Sequence, residues 1–545
     1  MKKTILALVC LLATATAGSA QTYYEVVPLP QSIELQKGEP FTLWNDLVQI
    51  LAPETLAAEA DFLQAYLKDV TGATLPIAQK REKGKSYIEL TVSPKVTAPE
   101  GYVLTINKKG ISIAGGSAAG VFYGIQTLRK AIVNARQSQH VTELTDQPSA
   151  SPAPPFTLLY PVVITDAPRF SWRGMHLDCS RHFFPVAFVK KFIDLLAMHN
   201  MNVFHWHLTD DQGWRIEIKK WPKLTTVGSQ RSGTIIGTNS DLDDGIPYGG
   251  FYTQAELREI VAYATARHIT IVPEIDMPGH MLAALAAYPE LGCTGGPYQV
   301  GHYWGVYKDV LCISNPRVYE FVQDVLTEVM DIFPSEVIHI GGDETPTEKW
   351  NQCEKCKGLS QAVFTERVFN FLTSKGHRAL GWDEILDGAP QDAMIMSWRG
   401  SAPGAKAAEA GHDVVMTPTT HCYFDYQQVK DTEFEPSRCG GFIPIEKVYA
   451  LDPAPDSLSV EARSHILGTQ ANLWTEYMTN EQMVEYQALP RMSALAEVQW
   501  TKPERKDYKA FVKRLTLLTA LLERYNYTYA KHLWPERQIP NRWQF

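Results

Sequence analysis

The chain has 545 residues, 45% hydrophobic and 20% charged, enough apolar material for two or three packed domains. Asp and Glu number 60 against 51 Lys and Arg, and the net charge of −9 argues against nucleic acid or an anionic membrane surface as partner. At the start, Met1-Lys-Lys3 is basic, Ile5 to Leu12 is apolar, and Gly18-Ser-Ala20 supplies small residues before Gln21. This reads as a signal peptide over residues 1–20, too short in its apolar part to span a bilayer stably. Cys10 follows Val9, not the small residue a lipid-attachment site wants, and reads as filler. No later apolar run is long enough for a membrane helix, so the mature protein is expected to be soluble and exported, periplasmic or secreted.

Residues 21–165 read as a smaller α/β domain. Ala57 to Leu67 has helical spacing of apolar residues, and Tyr87 to Val92 alternates as a strand. Tyr102–Ile106 and Ile111–Ala114 flank Asn107-Lys-Lys-Gly110, a hairpin signal. A helix is predicted from about Ser117 to Val133. Gln147 to Pro155 is a loop or linker by composition.

From residue 166 onward, strands and helices alternate. Eight strands are predicted at Gly174–Cys179, Asn202–Leu208, Thr270–Ile275, Val337–Gly341, Ala379–Trp382, Ala393–Trp398, Asp413–Thr417 and Ile466–Asn472. Helices at Val186–His199, Thr253–His268, Pro316–Ile332 and Thr365–Lys375 lie between them. Alternation of this kind implies parallel strands with right-handed crossovers, and eight units imply a (β/α)8 TIM barrel over 166–545 with a C-terminal helical segment. A doubly wound open sheet is the alternative, but no Gly-x-Gly-x-x-Gly turn follows an early strand.

The C-terminal ends of these strands, the catalytic face of such a barrel, are polar and aromatic throughout. The sharpest is Glu336-Val-Ile-His-Ile-Gly-Gly-Asp-Glu344, an apolar strand opening through two glycines onto adjacent carboxylates. Neighbours in an extended chain point oppositely, so Asp343 and Glu344 are expected in two different roles, a fixed charge and a proton donor. The other ends are Asp178-Cys-Ser-Arg181-His182, His205-Trp-His207-Leu-Thr-Asp210-Asp211, Glu274-Ile-Asp276-Met-Pro-Gly-His280, Trp382-Asp-Glu384, Ser397-Trp398-Arg399, Tyr423-Phe-Asp425 and Trp474-Thr-Glu476.

These motifs, from Trp172 to about Trp500, resemble glycoside hydrolase family 20, the β-N-acetylhexosaminidases, in which a smaller α/β domain also precedes the barrel. The resemblance implies exo-acting, retaining hydrolysis of terminal β-linked N-acetylhexosamine from glycans. The substrate's own 2-acetamido oxygen would be the nucleophile, through an oxazolinium intermediate and without a cofactor or metal. That departs from ordinary retaining glycosidases, where a second carboxylate of the protein attacks the sugar. The resemblance further implies Glu344 as general acid/base, Asp343 orienting the acetamido group and Tyr423 holding its carbonyl. Asp210 and His280 would form a relay behind Glu344, Arg181 and Glu476 would meet sugar hydroxyls, and Asp425 would sit near the hydroxymethyl end. Trp382, Trp398 and Trp474 would form the walls. Since Glu344 must begin protonated, Asp343 and apolar walls are expected to raise its pKa.

Two competing readings have their own residues. His205-x-His207 places two imidazoles on one face of a strand, as a metal-dependent barrel hydrolase would need. A non-catalytic carbohydrate-binding protein would be favoured by loss of the acid, but Glu344 and Asp343 are both present. Beyond Cys10 there are seven cysteines; Cys293 with Cys312 are candidates to close a loop. Cys353-Glu-Lys-Cys356 has the spacing of half a zinc site, but no second pair stands at ligand spacing nearby, so a disulfide or two free thiols is the reading.

Overall fold

The computed structural model describes residues 22–44, 47–141, 156–238, 240–431, 435–436 and 439–534; the leader and the Gln147–Pro155 linker lie outside them. The chain divides into two compact units, one of residues up to Arg169 together with Ala496–Tyr527, the other of Phe170–Leu495 with the residues from Thr528 onward.

The first unit is built on a seven-stranded mixed sheet in the order Ser32–Leu35, Val162–Asp166, Tyr102–Asn107, Gly110–Gly115, Ser86–Val92, Val48–Leu51, Ile77–Ala78. The expected hairpin forms with Asn107 opposite Gly110, and Asn107 Oδ1 accepts from the Lys109 N–H at 2.9 Å. Helices Ala57–Thr71 and Ala118–Val141 pack with the sheet. Helix Tyr508–Arg524 also belongs here, which corrects its assignment to the barrel domain. It packs on helix Ala118–Val141, and just before it the Trp500 indole N–H donates to the buried Asp166 at 3.0 Å, beside the Tyr102 hydroxyl at 2.7 Å, while the Trp500 ring meets Tyr123 edge-on.

The second unit is a closed barrel of eight parallel strands: β1 (Trp172–Asp178), β2 (Val203–His207), β3 (Thr270–Glu274), β4 (Val337–His339), β5 (Arg378–Trp382), β6 (Met394–Ser397), β7 (Val414–Met416) and β8 (Ile466–Ala471). Helices Val186–Met198, Gln254–Thr265, Pro316–Ile332 and Gln361–Ser374 are its early crossovers. Thr253 and Glu256 cap the second reciprocally, and Asn315 with Pro316 starts the third, where the missing proline N–H costs nothing. Between β5 and β6 there is only a short 3₁₀ turn, Asp383–Leu386. Trp172, Val203, Val272, Leu380, Met394, Met396 and Val415 form an apolar cluster with Trp382. Trp382 also donates to Glu274 at 2.9 Å, joining this core to a polar layer.

Candidate active site

The turn after β4 decides the geometry. Gly341 and Gly342 have φ of +68° and +95°, and Glu344 follows at +47°. A Cβ on Gly341 would overlap Asp276 Oδ1, the oxygen that accepts the Gly342 N–H at 3.2 Å. Only a residue without a side chain fits there. Because this backbone is left-handed rather than extended, the expected opposition of the two carboxylates does not hold. Asp343 Oδ2 and Glu344 Oε2 lie 3.8 and 3.7 Å from the same His280 Nε2.

Behind His280 runs a chain of charge. Its Nδ1 faces Asp210 Oδ1 at 3.1 Å and Asp211 Oδ2 at 3.2 Å. Asp210 Oδ2 meets Arg181 Nη2 at 2.7 Å and His207 Nε2 at 2.9 Å. Burial disfavours a charged Asp210, but Arg181 and His280 outweigh it and hold its pKa well below the usual range. The same burial opposes a charged His280, and Asp210 wins there too, so its pKa is raised. Arg181 is itself fixed by Gln212, which accepts from Nε at 3.0 Å, and by Asp178 at 3.2 Å, with Glu476 3.9 Å away. Asp178 also accepts the Thr475 N–H at 3.1 Å, and Thr475 donates back to the Asp178 carbonyl at 3.0 Å. That stitch across the β1–β8 closure sets Arg181 beside Trp474 and Glu476.

His205 and His207 do share one face, and what they share is Glu274. Its Oε2 lies 2.6 Å from His207 Nδ1 and 3.0 Å from His205 Nε2; its Oε1 lies 3.0 Å from His339 Nδ1. These groups have the composition of a metal site. Both nitrogens of His207 already face carboxylates, however, and burial is outweighed by Glu274 and Asp210 so that its pKa rises.

Aromatic rings and three acids complete the pocket. Trp382 lies 5.8 Å from Trp474, and Tyr423 stacks on Trp398 with centroids 6.1 Å apart. The Trp398 indole donates to Glu384 at 2.9 Å. Asp343 Oδ1, Asp425 Oδ1 and Glu476 Oε2 are buried without a protein hydrogen-bond partner. Buried acceptors of that kind call for a partner, a ligand group or a water.

The acids differ in proton affinity. Burial raises the pKa of Asp343, and burial followed by the nearby Asp343 pushes Glu384 up to about 7. Glu344 moves the other way, lowered first by its contact with His280. The expectation of a raised Glu344 is therefore corrected. Its side chain is 43% exposed, and the His280 imidazole lies on its inner side.

Residues 170–503 match the family described as "Glycosyl hydrolase family 20, catalytic domain", and residues 23–147 match its domain 2. The chain belongs to glycoside hydrolase family 20. A β-hexosaminidase of Porphyromonas gingivalis is 40% identical over 92% of this chain, and the aligned region spans 64% of that relative's length. The family 20 β-N-acetylhexosaminidase structure of Streptomyces coelicolor superposes with a TM-score of 0.80 at 31% identity, covering 95% of this chain and 99% of that one. An exo-β-N-acetylglucosaminidase of Vibrio harveyi, solved with N-acetylglucosamine, gives 0.80 at 32%, covering 94% and 79%.

In this family 20 chain all the candidate catalytic and sugar-binding residues singled out in the sequence lie at or follow the C-terminal ends of the barrel strands. Glu344, Asp343, His280, Asp210 and Arg181 are joined by the contacts above, with Tyr423, Asp425, Trp382, Trp398, Trp474 and Glu476 as the remaining lining. Glu274, Asp276 and Glu384 received no role in the sequence, although each stands in a motif quoted for its neighbours. The lateral pairing of His207 with Glu274, and of Glu274 with His339, is visible only in the strand register. Cys353 and Cys356 are free thiols, one of the two outcomes expected of them; Cys293 and Cys312 do not close a loop with each other but come from a distant loop, also as free thiols, to join that pair.

Proposed function

We propose that this protein is an exo-acting, retaining β-N-acetylhexosaminidase that removes terminal N-acetylhexosamine from glycans by substrate-assisted catalysis. One observation carries the residue roles: Asp343 and Glu344 converge on one imidazole beside a Trp- and Tyr-walled pocket whose acids keep unpartnered oxygens. A neutral sugar supplies hydroxyl donors for Asp425 and Glu476, and an acetamide N–H for Asp343 Oδ1. The N-acetylglucosamine held by the Vibrio harveyi relative supports this ligand class.

The acetamide oxygen attacks the anomeric carbon as the glycosidic C–O bond breaks. Glu344 gives its proton to the leaving oxygen, and a five-membered oxazolinium ring closes. Being already attached, the nucleophile gains the advantage of intramolecularity. Asp343 balances the positive charge developing on nitrogen, and Tyr423 holds the carbonyl in line. Water, deprotonated by Glu344, then opens the ring with net retention. A sugar filling the pocket covers the exposed side of Glu344, and desolvation then favours its protonated form. Asp210 fixes the orientation of His280 behind it and favours its charged form, as the aspartate does in hydrolytic triads.

An aryl N-acetyl-β-glucosaminide should be turned over, while the matching aryl β-glucoside, lacking the acetamide, should not. Equal turnover of the two would refute the mechanism, and binding without turnover would make the protein a carbohydrate-binding module. Export is proposed as well, supported by the basic, apolar and small-residue order of residues 1–20. N-terminal sequencing of mature protein should start near Gln21; a chain retaining Met1 would contradict it.

A further inference from the structure

The four cysteines outside the pocket come from two loops. Gly292 bridges to Leu311 in antiparallel fashion, and the Cys312 N–H donates to the Leu291 carbonyl at 2.8 Å, which brings Cys293 and Cys312 together. Opposite them, the N–H groups of Cys356 and Lys357 both turn back onto the Cys353 carbonyl, at 3.0 and 2.9 Å. This tight Cys-x-x-Cys turn presents two thiols to one side, the spacing of a zinc knuckle.

The distances discriminate between a bonded pair and a metal cage. Cys356 Sγ lies 3.5 Å from Cys312 Sγ and 3.9 Å from Cys293 Sγ, and all four sulfurs are within 4.8 Å of one another. A disulfide needs about 2 Å between two sulfurs and leaves the others out. Four thiolates around zinc at about 2.3 Å form a tetrahedron whose edge is about 3.8 Å. The observed separations bracket that edge. Cys312 and Cys356 are buried, Cys293 and Cys353 partly so. Ser314 supplies polar contacts a thiolate cluster requires: its hydroxyl lies 3.2 Å from Cys356 Sγ, and its backbone N–H also points at that sulfur.

We propose that Cys293, Cys312, Cys353 and Cys356 bind one structural Zn²⁺. The four thiols release their protons as the ion enters, and four protein ligands leave no open position for catalysis. The ion ties the loop after β3 to the loop after β4. On one side, Leu311 donates to the Pro278 carbonyl at 3.0 Å, two residues before His280. On the other, the Trp350 indole donates to the Leu311 carbonyl at 2.9 Å, in the segment that follows Asp343 and Glu344. The clamp thus joins the two segments whose side chains meet at His280 Nε2.

The test is elemental analysis of the full chain purified without chelator or added reductant, followed by exchange of the bound metal for Co²⁺. The expected result is one zinc per chain, thiolate-to-cobalt charge-transfer bands with intense tetrahedral d–d bands, and loss of both in the Cys353→Ser/Cys356→Ser double variant. If that variant does not fold, the parent decides alone, through its zinc content and its cobalt spectrum. A zinc-free parent whose four thiols resist titration and whose mass shows disulfides would overturn the proposal. So would a cobalt spectrum without thiolate bands, or a folded double variant that keeps its zinc.

Discussion

Asp343 and Glu344 are adjacent in sequence yet face different steps, and substitutions should separate them. Glu344→Gln removes the proton donor, so substrates with poor leaving groups should lose most, while a nitrophenyl glycoside loses less in the first step. Asp343→Asn removes the charge facing the acetamide nitrogen and should slow ring closure whatever the leaving group, by about 10²- to 10³-fold, the usual scale for one preorganised contact. Comparing kcat/KM across a series of aryl leaving groups checks both; parallel losses in the two variants would contradict the division of roles. Glu384 gives a pH prediction. Its folded pKa of about 7 lies above its ordinary 4.5, so between those values the folded protein holds a proton that the unfolded chain has lost. This contribution to stability is full below 4.5 and is lost as pH rises through about 7. Glu384→Gln should flatten that part of a Tm–pH curve, and should remove a Trp398 fluorescence titration centred near 7; an unchanged curve would mean that Glu384 ionises as an exposed acid. The roles of these acids were legible from the motifs around them, but the lowered pKa of Glu344 was not. That depends on a left-handed residue and on a histidine 64 positions earlier in the chain, and neither is a property of the local sequence.

At the β4 turn Gly341-Gly342 was legible as the point where the strand opens onto the carboxylates, and the structure makes it a left-handed turn. What the sequence did not show is that Asp276 is the group approached. Gly341→Ala should cost on the order of 2 kcal/mol or more, from positive φ and from collision with the Asp276 carboxylate together, and should lower kcat/KM by displacing Asp343. Chemical denaturation and kinetics on the same variant check this; a variant with parental stability and rate would show that the turn is not constrained. The eight strands and their main crossover helices followed from apolar periodicity. His205-x-His207 was legible as two imidazoles on one face, but its meaning was open until register set Glu274 beside His207. Glu274→Gln should weaken the hold on His207 and so on Asp210, lowering turnover and shifting its pH profile while substrate affinity changes little. A fall in stability with an unaltered pH profile would assign Glu274 to packing alone.

At the scale of the whole chain, composition and alternation implied the two-part α/β organisation, with the barrel as the catalytic part. Helix Tyr508–Arg524 was assigned to the barrel because it follows it in sequence; contacts such as Trp500 with Asp166 bridge over 300 residues and leave no local signal. The cysteines show the same limit, since Cys-x-x-Cys was legible and its partners, brought from another loop, were not. Every role assigned in the pocket depends on the acetamide oxygen being the nucleophile, and one substrate series measures that directly. Aryl β-glucosaminides carrying acetyl, fluoroacetyl, difluoroacetyl and trifluoroacetyl groups on nitrogen differ mainly in the nucleophilicity of that oxygen. Substrate-assisted catalysis predicts that kcat/KM falls steeply with each added fluorine. A rate independent of fluorination would place the nucleophile on the protein and contradict it.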